Sequence, residues 1–154
     1  MRKLFLFILS VLFCFGFLPW GVLEAAGEHL QVKGKRIAAL FSGGPASGGN
    51  NVIAGIKKAL GNENTLLGVM EGPDGLINEN LFEVTSEEVE KRLNLGGFSL
   101  LGTSRTKIQK EAQFEKVRQT VINHKLDGII IIGGDDSNTN AAFLAERLKD
   151  LNCA

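Results

Sequence analysis

Net charge is missing from this chain: 17 lysines and arginines balance 17 aspartates and glutamates over 154 residues. Without a basic excess, the bulk charge gives no footprint for nucleic acid or for an anionic membrane. Cysteine is scarce, and the two present, Cys14 and Cys153, do not make a disulfide framework. Internal repeats and low-complexity segments are also absent. What remains is a chain 44% hydrophobic and 22% charged, a composition that folds, of a length that suits one domain of ordinary size. Glycine is the abundance. The chain has 19, well above the roughly 7% of average usage. Many sit in short clusters, which points to tight turns and to close approach of backbone to a ligand.

The first 27 residues differ from the rest. Met1-Arg2-Lys3 is a basic start, and Leu4 to Leu23 is nearly unbroken apolar sequence, interrupted by Ser10, Gly16, Pro19 and Gly21. Ala25-Ala26-Gly27 supplies small residues at cleavage spacing. The segment reads as a secretory signal, or as an uncleaved anchor because its apolar stretch is long. A buried N-terminal helix and a mistaken start are the plainer alternatives. A membrane role depends on this leader being real. Residues 28–154 carry the fold.

In that region, apolar runs of strand length alternate with glycine loops and helical periodicity. Arg36 to Phe41 is a strand candidate followed by "SGGPASGGNN", then a helix with apolar residues at 52, 53, 56, 59 and 60. Thr65 to Met70 is a second strand, broken by "EGPDG". Thr85-Ser86-Glu87-Glu88 is a capping box before a short helix ending near Leu93. Apolar positions from Ile108 to Ile122 mark an amphipathic helix. Gly128 to Ile132 lacks polar alternation, as a strand buried on both faces does. Asp136 or Ser137 can cap a final helix over 141–151. The order predicts an α/β fold, a Rossmann-like parallel sheet with helices on both faces. In such sheets ligands bind beyond the carboxyl ends of the strands, where loops 42–51, 96–107 and 133–140 would meet.

Each loop has a chemical reading and a plain one. Glycines 43, 44, 48 and 49 let backbone N–H groups face an anion beside a helix N-terminus, or make a turn with no ligand. The loop fits neither the Walker A pattern nor G-x-G-x-x-G. In "GTSRTK", Arg105 can hold phosphate oxygens bidentately while Thr103 and Ser104 donate hydrogen bonds, or Arg105 is a solvated surface residue. In "GGDDSNTNAA", a carboxylate at a strand end suits Mg²⁺, a hard cation. The plain reading makes Asp135 a turn residue and Asp136 a helix cap.

Taken together, "FSGGPASGGNNVIAG", "GGFSLLGTSRTKI" and "GGDDSNTNAA" resemble, in order and spacing, the phosphofructokinase family, over residues 35 to about 151. The acid at 136, where ATP-dependent members usually have glycine, resembles the pyrophosphate-dependent type. The resemblance implies Mg²⁺-dependent phosphoryl transfer from pyrophosphate to the 1-hydroxyl of fructose 6-phosphate, in glycolysis. It implies phosphate binding by Gly43, Gly44, Gly49, Thr103, Arg105, Thr106, Gly134, Ser137 and Asn138, and charge stabilisation by Arg105. It assigns the metal to Asp135 and donor selectivity to Asp136, whose carboxylate would fill the room that a nucleotide needs. It also implies cytoplasmic localisation and a homo-oligomer at full length. The family's "T-I-D-x-D" motif, which holds its general base, does not occur in the 154 residues. The expectation is therefore an N-terminal fragment holding the donor and metal half, inactive alone. The alternatives are a truncated, non-catalytic phosphate-binding product, an ATP-dependent 6-phosphofructokinase, or a kinase of another family with a "GGD" loop.

Overall fold

The structure, a computed structural model, describes residues 33–153. The leader at 1–27, with its signal or anchor reading, lies outside the described residues. No helix among the described residues is long and apolar enough to cross a membrane.

The chain runs β1 (Arg36–Ser42), α1 (Gly49–Leu60), β2 (Thr65–Val69), α2 (Pro73–Ile77), β3 (Leu81–Glu83), α3 (Ser86–Glu90), α4 (Glu111–His124), β4 (Gly128–Gly133) and α5 (Asp135–Leu148). A 3₁₀ turn, Lys149–Leu151, follows. The four strands form one sheet in the order β3-β2-β1-β4. β1 pairs in parallel with β2 and with β4, while β3 pairs antiparallel with β2. The sheet is thus parallel with one antiparallel edge strand.

β1 is central because its side chains suit both faces. Ala38 and Leu40 point to one side, and Ala39 and Phe41 to the other, all with 6% exposure or less. One core joins Ala38, Leu40, Leu67 and Val69 to Leu76 of α2, Phe114, Val117 and Val121 of α4, and Leu144 and Leu148 of α5. The other joins Ala39, Phe41 and Leu66 to Ile53 of α1, Val84, Val89 of α3, and Leu100 and Leu101. Helices cover both faces, as the alternation of strands and helices predicts.

Several local readings need correction. β4 packs on both cores, Ile129 and Ile131 on one and Ile130 and Ile132 on the other. It is nevertheless only half-buried, because among the described residues it is an edge strand. α4 begins at Glu111 rather than Ile108, which is buried in the preceding loop. α3 has the expected capping box, Thr85 with Glu88, but stops at Glu90. α5 begins at Asp135 with Gly134 as its N-cap and no side-chain cap, so neither Asp136 nor Ser137 caps it. Both acids lie in the first turn, where they oppose the positive end of the helix dipole. α2 and β3 went unforeseen, since five and three residues are too few to show a period.

Asp127 ties the starts of β1 and β4 together. Its carboxylate accepts from Lys35 Nζ at 2.7 Å and from the Arg36 N–H at 2.9 Å, and its own N–H donates to the Arg36 carbonyl at 2.9 Å. The Lys35 hydrogen bond, then that from Arg36, holds the Asp127 carboxyl below its ordinary value. Its folded value therefore lies below its unfolded one. The stabilisation is present above the unfolded value, about 3.9, and is lost as pH falls through the folded value. Asp127→Asn should be less stable than wild type at pH 7 in urea titrations of the full chain, and the gap should close below about pH 3.9. A gap that is independent of pH would exclude the ion-pair origin. Two glycines test the packing. A Cβ at Gly75 would collide with the Met70 carbonyl, whereas one at exposed Gly55 in α1 meets nothing within 4 Å. Gly75→Ala should cost about 1–3 kcal/mol, and Gly55→Ala should stabilise by up to about 1 kcal/mol, both read from urea midpoints.

Candidate functional site

The site is built on the carboxyl end of β1. Gly72 and Gly133 bring neighbouring chain against that end. A Cβ at Gly72, where φ is +60°, would collide with the Phe41 carbonyl and lie 2.9 Å from the Ser104 nitrogen. One at Gly133 would collide with the Ser42 carbonyl and the Ser137 hydroxyl. These close approaches leave no room for a side chain, so glycine is required at both.

Ser42 is the meeting point of the three loops. It forms a parallel bridge with Ser104 of the arginine loop. The Ser137 hydroxyl, in the first turn of α5, lies 3.1 Å from the Ser42 carbonyl oxygen and 2.9 Å from its hydroxyl. The Gly43 N–H donates to the Ser104 carbonyl at 2.8 Å, and the Thr103 hydroxyl donates to the Gly43 carbonyl at 3.1 Å. The arginine loop is held at its far end too. The Thr106 hydroxyl donates to Asp74 of α2 at 2.8 Å. The Asn140 side chain both accepts from the Ile108 N–H at 3.1 Å and donates to its carbonyl at 2.8 Å. The side chain of Lys107 reaches Asp136 at 2.9 Å.

These loops enclose an open cavity of about 850 Å³. It brings together Gly43, Gly44, Thr103, Arg105, Thr106, Gly134, Asp135, Asp136 and Ser137, all expected from the sequence. Two expected residues stay out. Asn138 is exposed on α5 and does not line the cavity. Gly49 is buried against Phe98 and Phe41, where a Cβ would lie 2.7 Å from that of Phe98. Its role is packing. Gly43 lines the cavity, but its N–H is committed to Ser104. Gly44 and Ala46 line the cavity, and their backbone N–H groups have no partner among the described residues. Thr103 and Thr106 likewise spend their hydroxyl protons on the loop itself. Arg105 is exposed, and its guanidinium lies over Gly44, where a Cβ would be 3.2 Å from Nη2. The cavity thus gathers a cation, two residues with free amides and two carboxylates.

The acids differ in their surroundings. Asp136 is paired with Lys107, while the Asp135 side chain makes no hydrogen bond or ion pair among the described residues. No cluster of three or more His, Cys, Asp or Glu among the described residues could hold a metal by protein ligands alone. Asp135 and Asp136 are the two carboxylates on the cavity, a donor number compatible with Mg²⁺ where phosphates and water supply its other oxygens.

Sequence reasoning missed Asn50. It is 3% exposed in the first turn of α1; its amide donates to the Gly96 carbonyl at 2.7 Å and accepts from the Leu100 N–H at 3.1 Å. It holds the start of the segment leading to the arginine loop. Asn140, Lys107 and Asp74 were also unassigned. An asparagine in a polar stretch gives no local sign of a partner some 30 residues away.

A doubly covered α/β sheet whose glycine, arginine and acidic loops share the carboxyl edge defines the class. The chain belongs to the phosphofructokinase family, whose model, described as phosphofructokinase, matches residues 36–154. It is similar to the pyrophosphate–fructose 6-phosphate 1-phosphotransferase of Treponema pallidum, 45% identical over 119 residues, covering 75% of this chain and 21% of that protein. The enzyme of the same name from Entamoeba histolytica is 47% identical over 114 residues, covering 72% and 21%. Among solved structures, phosphofructokinase from Saccharomyces cerevisiae is 32% identical with a TM-score of 0.64, covering 77% of this chain and 17% of that one. The chain spans about a fifth of the length of the curated relatives it matches.

Asn50→Ala would strip a part-buried carbonyl and a buried N–H of their partners. It should destabilise the full chain by about 1–3 kcal/mol, read from its urea midpoint. A loss under about 0.5 kcal/mol, the range of an ordinary surface change, would mean that the Asn50 bonds do not hold the loop.

Proposed function

We propose that these loops form the donor and metal side of a pyrophosphate-dependent phosphofructokinase, which transfers a phosphoryl group from pyrophosphate to the 1-hydroxyl of fructose 6-phosphate. The observation that carries the reading is the position of Asp136. It lies in the first turn of α5, on the cavity shared by Arg105 and the glycine loop. The names of the similar enzymes from Treponema and Entamoeba support the same donor and acceptor.

The division of labour follows from charge and geometry. The free amides of Gly44 and Ala46 and the guanidinium of Arg105 bind phosphate oxygens. Asp135 would hold Mg²⁺, which supplies charge neutralisation at the phosphates. Ser137 and Thr103 hold loops in place through their hydrogen bonds. Asp136 occupies the space into which a nucleotide's α-phosphate and ribose would extend, so the shorter donor is preferred. Its pairing with Lys107 lowers the local negative charge, which shifts the weight of exclusion from repulsion towards occupied volume. Catalysis here is positioning and charge stabilisation. Cytoplasmic localisation and a homo-oligomeric full-length enzyme belong to the same reading.

Two substitutions in the full-length enzyme test it, with turnover measured on pyrophosphate and on ATP. Asp136→Gly should raise ATP-supported turnover and lower that with pyrophosphate; unchanged donor choice would refute the assignment of selectivity. Asp135→Ala should reduce Mg²⁺-dependent turnover by at least about a hundredfold, the scale of removing one positioned electrostatic group. Activity within a few-fold of wild type would place the metal elsewhere.

A further inference from the structure

A second, smaller cavity of about 340 Å³ adjoins the first on the α5 side. Three residues line both cavities: Lys107, Asp136 and Asn140. The boundary between the two spaces is therefore made by side chains. Asn140 is fixed by its two bonds to Ile108. Lys107 and Asp136 reach across from opposite elements, one on the arginine loop and one on α5, and meet at 2.9 Å. Asp136 alone would not stay there. Its side chain is 83% exposed, and a first-turn helix carboxylate with so few neighbours has several solvated rotamers. The Lys107 ammonium is its ion-pair partner among the described residues, and the pair restricts those rotamers.

We infer that Lys107 is a positioning residue for donor selectivity: it holds the Asp136 carboxylate as a bar between the two cavities, so that a ligand longer than a diphosphate cannot extend from the first into the second. The inference rests on the proposed role of Asp136 and adds its second half. Selectivity then belongs to an ion pair and not to one acid. An exposed pair is screened by salt, so the bar should weaken as ionic strength rises. The pair is also separable from the fold, since the Asp136 side chain is mostly in solvent and that of Lys107 is half-exposed.

The test is calorimetric titration of the full-length enzyme with pyrophosphate and with ATP, each with Mg²⁺, at low and high salt. Wild type should bind pyrophosphate in preference to ATP, and the preference should shrink at high salt. Lys107→Met should raise ATP affinity by about fivefold, the upper range for an exposed ion pair. Lys107→Arg should restore wild-type discrimination. Lys107→Met combined with Asp136→Gly should bind ATP no better than Asp136→Gly alone, since both changes remove one device. Urea midpoints of all variants should lie close together, which separates the effect from folding. If Asp136→Gly admits ATP and Lys107→Met does not, the inference about Lys107 fails while the reading of Asp136 stands. If neither does, or if wild type shows no preference for pyrophosphate, both fall. If Lys107→Met weakens both ligands equally, Lys107 is a phosphate contact and not a bar.

Discussion

The close approach of chain to the carboxyl end of β1 is the constraint on which the rest of the site depends. Phe41 and Ser42 are met by the turn after β2 at Gly72, by the end of β4 at Gly133, and by the arginine loop at Ser104. Because each approach is backbone to backbone, the loops are located by carbonyls and amides and by the absence of side chains at two glycines. The separation between Arg105 and the acids of α5 is then inherited from the sheet register, which pairs Ser42 with Gly133. Functional side chains ride on a frame whose dimensions are those of a parallel strand pair.

The two helix N-termini at this edge are handled differently. α1 has no acid in its first turn, but the Asn50 N–H there is already taken by the Gly97 carbonyl. α5 carries two acids in its first turn, so its positive end is complemented from within the chain and is suited to a cation-bridged phosphate more than to a bare one. In the proposed reading, anion binding by the cavity would therefore rest on loop amides and on Arg105, with the helix ends in supporting roles.

Much of this was legible from the residues alone. Alternating apolar runs and glycine loops placed β1, β2, β4 and the longer helices, because burial on a central strand demands an unbroken apolar string and burial of one helix face demands a period. The three loops were recognisable as one site because strand order sends them to one edge. What stayed hidden has a common physical character. α2 and β3 are too short to show a period. The true start of α5 at Asp135 depends on where the chain leaves β4, which no local propensity sets. Gly49 reads as a loop glycine, yet it is fixed by the Cβ of Phe98 and the ring of Phe41. Asn50, Asp74 and Asn140 act through partners distant in sequence, and their hydrogen bonds become visible once the sheet has brought those partners together.

The Asn140 clamp has one consequence for how such a segment can vary over generations. It grips the N–H and carbonyl of residue 108, while the isoleucine side chain is buried in the core. Two obligations thus fall on one position without interfering: the core dictates the bulk of the side chain, and the main chain alone keeps the arginine loop in register. Drift among apolar residues at 108 would leave this edge of the sheet where it is, whereas a change at 140, on α5, would move it.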